Sequence, residues 1–158
     1  MTMDPQELRR VMSHFATGVT VITTVDKTGT PNGLTANAFM SLSLDPPLIL
    51  ISVDKGATCY ACFELQNGFT VNFLSEGQEE ISRRFATKGA DKFAGLQWRA
   101  GSNGAAIIDG VLGYVECKIA QCHDGGDHTI VVGEIVNVNA GGERPLLFFK
   151  GKYQKLPN

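Results

Sequence analysis

Gly33-Leu34-Thr35-Ala36-Asn37-Ala38-Phe39-Met40-Ser41-Leu42-Ser43-Leu44-Asp45-Pro46-Pro47 runs into Leu48-Ile49-Leu50-Ile51 and then into Ser52-Val53-Asp54-Lys55-Gly56-Ala57-Thr58. Small hydrogen-bonding residues lie densely between two strand-like segments. A loop of this composition brings backbone N–H groups and Thr and Ser hydroxyls against a flat polar ligand without steric obstruction. Pro46-Pro47 excludes helix, and the apolar run Leu48 to Val53 reads as a buried strand. On the N-terminal side, Val19 to Val25 is rich in β-branched residues and reads as a strand. Asp26-Lys27-Thr28-Gly29-Thr30 is a hairpin turn, with Asn32 to Phe39 as the returning strand.

Further out, Asp4 is an N-cap with Pro5 at the first helical position. Leu8, Val11, Met12 and Phe15 recur at helical spacing, so one face is expected to be buried, with Gly18 ending the helix. Thr58 to Gln66 reads as a short helix and Phe69 to Leu74 as an alternating strand. Ser75 with Gln78 caps a helix running to about Phe85. Lys88 to Ala106 is a Gly-rich loop region around Phe93 and Trp98. Val111 to Gln121, His128 to Val138 and Leu146 to Phe149 complete the strands. Closely spaced strands with few helices imply an antiparallel barrel with helical decorations.

The 158 residues fit a single domain spanning 1–158. A net charge of -2 gives no basic footprint, so nucleic acid is not an expected partner. No run of 18 apolar residues is present, so no membrane span is expected, and Met1 to Pro5 has no secretory character. Cys59, Cys62, Cys117 and Cys122 lack a thioredoxin-like context. Cys59 and Cys62 read as small apolar residues on one helix face, not as a metal or redox site. Cysteines without a signal peptide imply a reduced, cytoplasmic protein.

Three further segments carry a resemblance. They are Phe15-Ala16-Thr17-Gly18-Val19-Thr20-Val21-Ile22-Thr23-Thr24, Gly126-Asp127-His128-Thr129 and Pro145-Leu146-Leu147-Phe148-Phe149-Lys150-Gly151-Lys152-Tyr153. With the opening stretch, and in the same order, they resemble the flavin reductase family, the small partners of two-component flavin-dependent monooxygenases. The resemblance implies a mainly β fold, the FMN-binding split β-barrel (antiparallel, Greek-key-like) with a few peripheral helices, in a homodimer. It implies reduction of FMN or FAD by NADH, with NADPH as the alternative. Reduced flavin would pass to a monooxygenase such as an aromatic hydroxylase.

The family places its isoalloxazine along the loop that carries Thr35, Ala36, Asn37, Ala38, Ser41, Leu42 and Ser43 here. Backbone N–H groups there would stabilise the charge that develops on reduction. It places the flavin phosphate and ribityl chain at Ser52, Asp54, Lys55, Gly56, Ala57 and Thr58, where a helix N-terminus favours anions. Arg83, Arg84 and Phe85 are implied near the phosphate tail. Gly126, Asp127 and His128 are implied at the exposed flavin face, with His128 beside the nicotinamide as the catalytic residue. Gly151, Lys152 and Tyr153 would flank the same pocket. No Gly-x-Gly-x-x-Gly follows a strand, so any NAD(P)H lies across the flavin pocket. No Ser/His/Asp or paired-carboxylate signature appears, and hydride transfer between cofactors needs neither. A flavin carrier that does not oxidise NAD(P)H, and a barrel without flavin, are the competing readings.

Overall fold

The computed structural model describes residues 2–89, 91–142 and 144–158. In chain order its elements are α1 (Pro5–Met12), β1 (Thr17–Gly18), β2 (Thr20–Val25), β3 (Pro31–Ala36), β4 (Phe39–Leu44) and β5 (Pro47–Asp54). A 3₁₀ turn (Tyr60–Cys62), β6 (Gly68–Phe73), α2 (Glu79–Ala86), β7 (Trp98–Ala100) and β8 (Ala106–Ile108) follow. The chain ends with β9 (Gly113–Gly125), β10 (His128–Ala140), β11 (Leu147–Phe149) and β12 (Lys152–Gln154).

Seven strands form one antiparallel sheet in the order β3-β2-β6-β9-β10-β5-β4. A flat sheet of that size would be about 29 Å wide. Its two edge strands, β3 and β4, are nevertheless separated in the chain only by Asn37 and Ala38, a link that spans at most ~11 Å. The sheet must therefore curl until its edges meet at Asn37-Ala38. That closure makes the antiparallel, mainly β barrel that the residue pattern called for. A second sheet, β1-β11-β12, and the β7-β8 hairpin cover its flanks.

Ile22, Ile49, Ile51, Phe69, Val71, Cys117, Ile119 and Val131 fill the interior. A separate cluster of Val19, Val21, Leu74, Phe85, Ile108 and Leu146 seats α2 and the small sheet. Burying side chains of this size contributes roughly 1.5–3 kcal/mol each. Between the β6 face and the β7-β8 hairpin the contacts are polar. Buried Asn72 accepts from the Ile108 N–H at 2.9 Å and donates to the Val21 and Ala106 carbonyls at 3.2 Å.

The structure corrects several local expectations. The first helix ends at Met12, with Ser13 as its C-cap, and Leu8, Val11, Met12 and Phe15 are all exposed in the single chain. The Lys150 N–H donates to the Ser13 carbonyl at 2.8 Å. That bond turns the chain into β1 instead of prolonging the helix. The opening stretch is mostly strand: β3 ends at Ala36 and Phe39–Leu44 pairs with β5, with a register shift between Ser41 and Ser43. The expected helix over Thr58 to Gln66 is only the 3₁₀ turn, and the chain leaves it through Gln66 at φ 74°. The capping pair before α2 is half formed, with the Ser75 N–H donating to Gln78 Oε1 at 2.9 Å.

Glu116 alternates with the core residues Val115 and Cys117 along β9, which would put it opposite the core, yet it is 1% exposed. The Ser102 N–H and hydroxyl donate to Oε1 at 2.6 and 3.0 Å, and the Asn137 amide donates to Oε2 at 2.7 Å. Burial pushes this carboxyl up, but the Asn137 and Ser102 donors outweigh burial and hold it below its ordinary value of 4.5. A carboxylate depressed in the folded state stabilises the fold above its unfolded pKa, and that contribution is lost as pH falls through the folded value. Thermal melts are therefore expected to steepen in their pH dependence below about 4.5. Glu116→Gln should flatten that dependence and cost about 1–3 kcal/mol at neutral pH. An unchanged profile would remove Glu116 from this role.

Candidate functional site

Three depressions follow one another along the outer side of β3 and share walls. The first, about 210 Å³, lies between Thr35 and Ala36 of β3 and the adjoining Asn37, Ser82 and Ala86 of α2, and Phe148 and Tyr153 of the small sheet. The second, about 180 Å³, shares Thr35 and Ala86 and adds Asp54, Ala57, Thr58, Phe85, Lys88 and Lys92. The third, about 220 Å³, shares Thr58, Cys59 and Lys92 and continues over Asn32 and Gly33 to Asp91 and Phe93.

Local chemistry holds these walls together. The Thr35 hydroxyl donates to the Ser82 carbonyl at 2.6 Å, tying α2 to β3. The Ser82 and Tyr153 hydroxyls are 2.7 Å apart, and the Arg83 guanidinium lies 4.8 Å from the Tyr153 ring centroid. Gly33 lets β3 approach α2: a Cβ there would stand 2.8 Å from the Ile22 carbonyl oxygen and 2.9 Å from Phe85 Cε1. The Lys92 ammonium donates to the Gly33 carbonyl at 2.9 Å and so fixes the loop after α2 over the groove.

The groove therefore gathers Thr35, Ala36, Asn37, Asp54, Ala57, Thr58, Phe85 and Tyr153 from the sequence-predicted set. Among the described residues, neither Asn37 nor Ala38 spends its backbone N–H on a backbone acceptor. Ala38 lies at the barrel closure, where its carbonyl accepts from the Ser52 N–H at 3.2 Å. Beyond Asn37 an apolar depression of about 310 Å³ opens between Phe15, Phe39, Phe73 and Leu146. The buried Thr17 hydroxyl beside it has no protein partner among the described residues. Thr17 was absent from the candidate residues although it sits in a quoted segment.

Other expected residues do not line the groove. Ser41, Leu42 and Ser43 lie along edge strand β4, paired outward from the closure. Arg83 pairs with Glu79, and Arg84 with Glu80 and the Ala94 carbonyl, so both arginines are spent on α2 and its neighbouring loop. Lys55 pairs with Asp124. The N–H groups of Lys55, Gly56 and Ala57 donate to the Asp127 carbonyl, Asp54 Oδ1 and the Asp54 carbonyl. With no α-helix beginning at Thr58, the turn offers no helix N-terminus to an anion. The cations in the groove are Lys88 and Lys92, which the sequence reading left in an unassigned loop. Gly151, at φ 73°, and Lys152 turn the chain into β12 and place Tyr153, without touching the groove themselves.

Gly126, at φ 82°, makes the tight β9-β10 turn. That turn is anchored to the Asp54–Thr58 segment: His128 is the cross-strand partner of Asp54, and the Tyr60 and Thr129 hydroxyls are 2.8 Å apart. His128 Nδ1 lies 2.7 Å from Asp127 Oδ1, and that hydrogen bond holds the exposed Asp127 carboxyl below the usual range. His128 is half exposed at the rim beside the groove, not in its wall.

Cys59 lines the second and third depressions but is buried, and burial pushes its thiol up to about 11. Cys117 is pushed up to about 12 by the same cause. All four cysteines are free thiols, and no cluster of three metal-ligating side chains occurs among the described residues. Thiols held this far from ionisation are poor nucleophiles. The double variant Cys59→Ala, Cys62→Ala is accordingly expected to melt earlier but to keep turnover within about tenfold. A larger loss in the folded variant, or stoichiometric zinc, would contradict this.

A larger depression, about 420 Å³, lies elsewhere between Arg99, Asp109, Tyr114 and Asn139. It contains none of the candidate residues.

Comparison with known proteins identifies the family. Residues 12–157 match the model of the flavin reductase like domain. The chain belongs to the flavin reductase family. It is 43% identical over 154 residues to HsaB, the reductase subunit of a flavin-dependent monooxygenase from Mycobacterium tuberculosis, covering 96% of this chain and 82% of that protein. It is 38% identical over 152 residues to a flavin reductase of Pseudomonas putida, covering 96% of this chain and 89% of that one. The solved structure of the Streptomyces globisporus NADH:FAD oxidoreductase SgcE6, in complex with NAD and FAD fragments, superposes with a TM-score of 0.91 at 38% identity. That match covers 99% of this chain and 97% of that chain.

Proposed function

We propose that this chain is an NAD(P)H:flavin oxidoreductase that reduces FMN or FAD by hydride transfer and supplies reduced flavin to a monooxygenase partner. The observation that carries this reading is the donor set of the groove. Two ammonium groups and the Thr58 hydroxyl stand at one end, the Asn37 amide, without a backbone acceptor among the described residues, at the other, and Ala36, Ala86, Phe148 and Tyr153 between them. A flat ring with one polar edge and an anionic tail matches that sequence of chemistries. When bound, the flavin supplies the hydride-accepting chemistry that no side chain here carries.

The residues of the chain bind and orient. Lys88 and Lys92 hold the phosphate end by charge. The Asn37 N–H group meets the polar ring edge, where a fixed dipole stabilises developing negative charge. Tyr153, braced by Ser82 and Arg83, forms one wall and keeps water from it. His128, oriented through Nδ1 by Asp127, positions the nicotinamide at the rim. Titration with FMN and FAD, followed by quenching of flavin fluorescence, tests the site: saturable binding at one flavin per chain is expected, and its absence rejects the reading.

The reading extends to residues 1–158 as one functional unit, in a homodimer and in a reducing cytoplasm. Four unpaired thiols support the compartment. No helix is long and apolar enough to cross a membrane. The apolar stripe of α1, with Phe15 80% exposed, and edge strand β4, with Leu44 92% exposed, support association. Sedimentation at micromolar concentration is expected to give a dimer, and a fully active monomer would contradict it.

A further inference from the structure

The depression of about 420 Å³ shares no lining residue with the groove. It lies where the β7-β8 hairpin meets the ends of β9 and β10. At its turn the hairpin is closed onto the sheet by the two Ser102 bonds to Glu116. Tyr114 lies two residues before Glu116 on β9 and so faces the same way, with Asn139 as its cross-strand partner. Arg99 of β7 reaches over this pair. Its guanidinium stands 5.5 Å from the Tyr114 ring centroid, with one nitrogen 3.4 Å from the phenol oxygen. Arg10, Arg83, Arg84 and Arg144 each hold a glutamate, whereas Arg99 has no acidic partner among the described residues. Stacking on the ring orders the guanidinium without neutralising it. Asp109 lines the same depression. Its backbone is committed, the N–H to the Gln97 carbonyl and the carbonyl to the Gln78 amide, but no donor among the described residues reaches its carboxylate.

A guanidinium and a carboxylate that line one depression, paired neither with each other nor with a neighbour, are matched by a molecule with the opposite charges at its two ends. We infer that this depression is a binding site for a small zwitterion, an amino acid whose carboxylate meets Arg99 and whose ammonium meets Asp109. The Asn139 amide and the Gly110 N–H, both without a protein partner among the described residues, add neutral hydrogen bonds to the carboxylate end. Val111 and Leu112 offer an apolar surface to the carbon chain. The site stands apart from the groove, so it does not depend on what the groove binds.

The test titrates glycine, β-alanine, γ-aminobutyrate and L-phenylalanine into the purified protein by calorimetry, with acetate and methylammonium as singly charged controls. The series varies the spacing of the two charges and the bulk between them. At least one member is expected to bind saturably at one site per chain. Acetate and methylammonium should bind about tenfold or more weakly, because each leaves one protein charge unmatched. Arg99→Ala and Asp109→Ala should each lower the affinity of that amino acid by about tenfold. Both side chains are exposed, so the melting temperatures of the variants should stay close to that of the unaltered chain and report that they are folded. Arg99→Lys keeps the charge but loses the planar fork and should fall between. Failure of all four amino acids to bind would overturn the proposal. So would binding that persists undiminished in both alanine variants, or acetate binding as tightly as the amino acids.

Discussion

A chain carrying Lys88→Ala and Lys92→Ala is expected to bind flavin phosphates about 100-fold more weakly, while its affinity for riboflavin changes less than about threefold. Arg83, Arg84 and Lys55 are committed to Glu79, Glu80 and Asp124, and the amides of Lys55, Gly56 and Ala57 to Asp127 and Asp54. On the proposed reading, charge on the flavin tail falls to the two lysines in the groove, neither of which has an acidic partner among the described residues. A charge-assisted hydrogen bond contributes about 1.5–3 kcal/mol, and the open groove places the expected sum near the lower end of that range for each. Lys88→Ala alone should cost about tenfold on the same scale. The effect should shrink with added salt. Riboflavin is the internal control: a parallel loss there would mean that Lys92, through its bond to the Gly33 carbonyl, shapes the groove instead of binding the phosphate.

The second large effect is expected at the rim. His128→Ala should slow flavin reduction by NADH, or weaken nucleotide affinity, by about 5- to 150-fold, the range of a lost positioning hydrogen bond. Flavin affinity should change little, because His128 lies outside the groove wall. Stopped-flow reduction and an independent flavin titration separate the two. Equal losses would mean that His128 supports the Asp54–Thr58 turn, to which its strand is paired. Asp127→Asn is the companion variant: it keeps an acceptor beside Nδ1 but removes the charge, and a smaller loss is expected.

The strands that carry the barrel were legible because their residue types and alternation report local geometry. Val19 to Val25, Phe69 to Leu74 and His128 to Val138 each became a strand at nearly the expected bounds. The failures share a cause: periodicity shows that an apolar stripe exists, not what covers it. The stripe of α1 was read as buried and is open in the single chain. Glu116 was placed opposite the core by alternation, but the Gly101–Asn103 turn between β7 and β8 covers that face. Cys59 and Cys62 have helical spacing, yet the segment makes a single 3₁₀ turn before Gln66 reverses it. Phe39–Leu44 looked like loop because its serines favour turns, and pairing with β5 overrode that preference.

The lining of the groove was legible in outline, but its lysines were not. Thr35 to Asn37, Asp54, Thr58 and Tyr153 meet at one groove, as the family resemblance implied. Lys88 and Lys92 gave no local signal, because their place in the groove depends on tertiary packing, in which Lys92 is fixed by its bond to Gly33, more than fifty residues earlier in the chain. The adjacent arginines drew attention instead, although their i−4 glutamates already offered partners.

On the proposed reading, this groove holds a flavin for reduction by a nicotinamide nucleotide at its rim. The most direct test mixes NADH with free FAD or FMN and a catalytic amount of the protein under anaerobic conditions, and follows the absorbance of oxidised flavin. Bleaching over many turnovers, one NADH consumed per flavin, is the predicted result. Flavin that binds but stays oxidised in the presence of excess NADH and NADPH would contradict it.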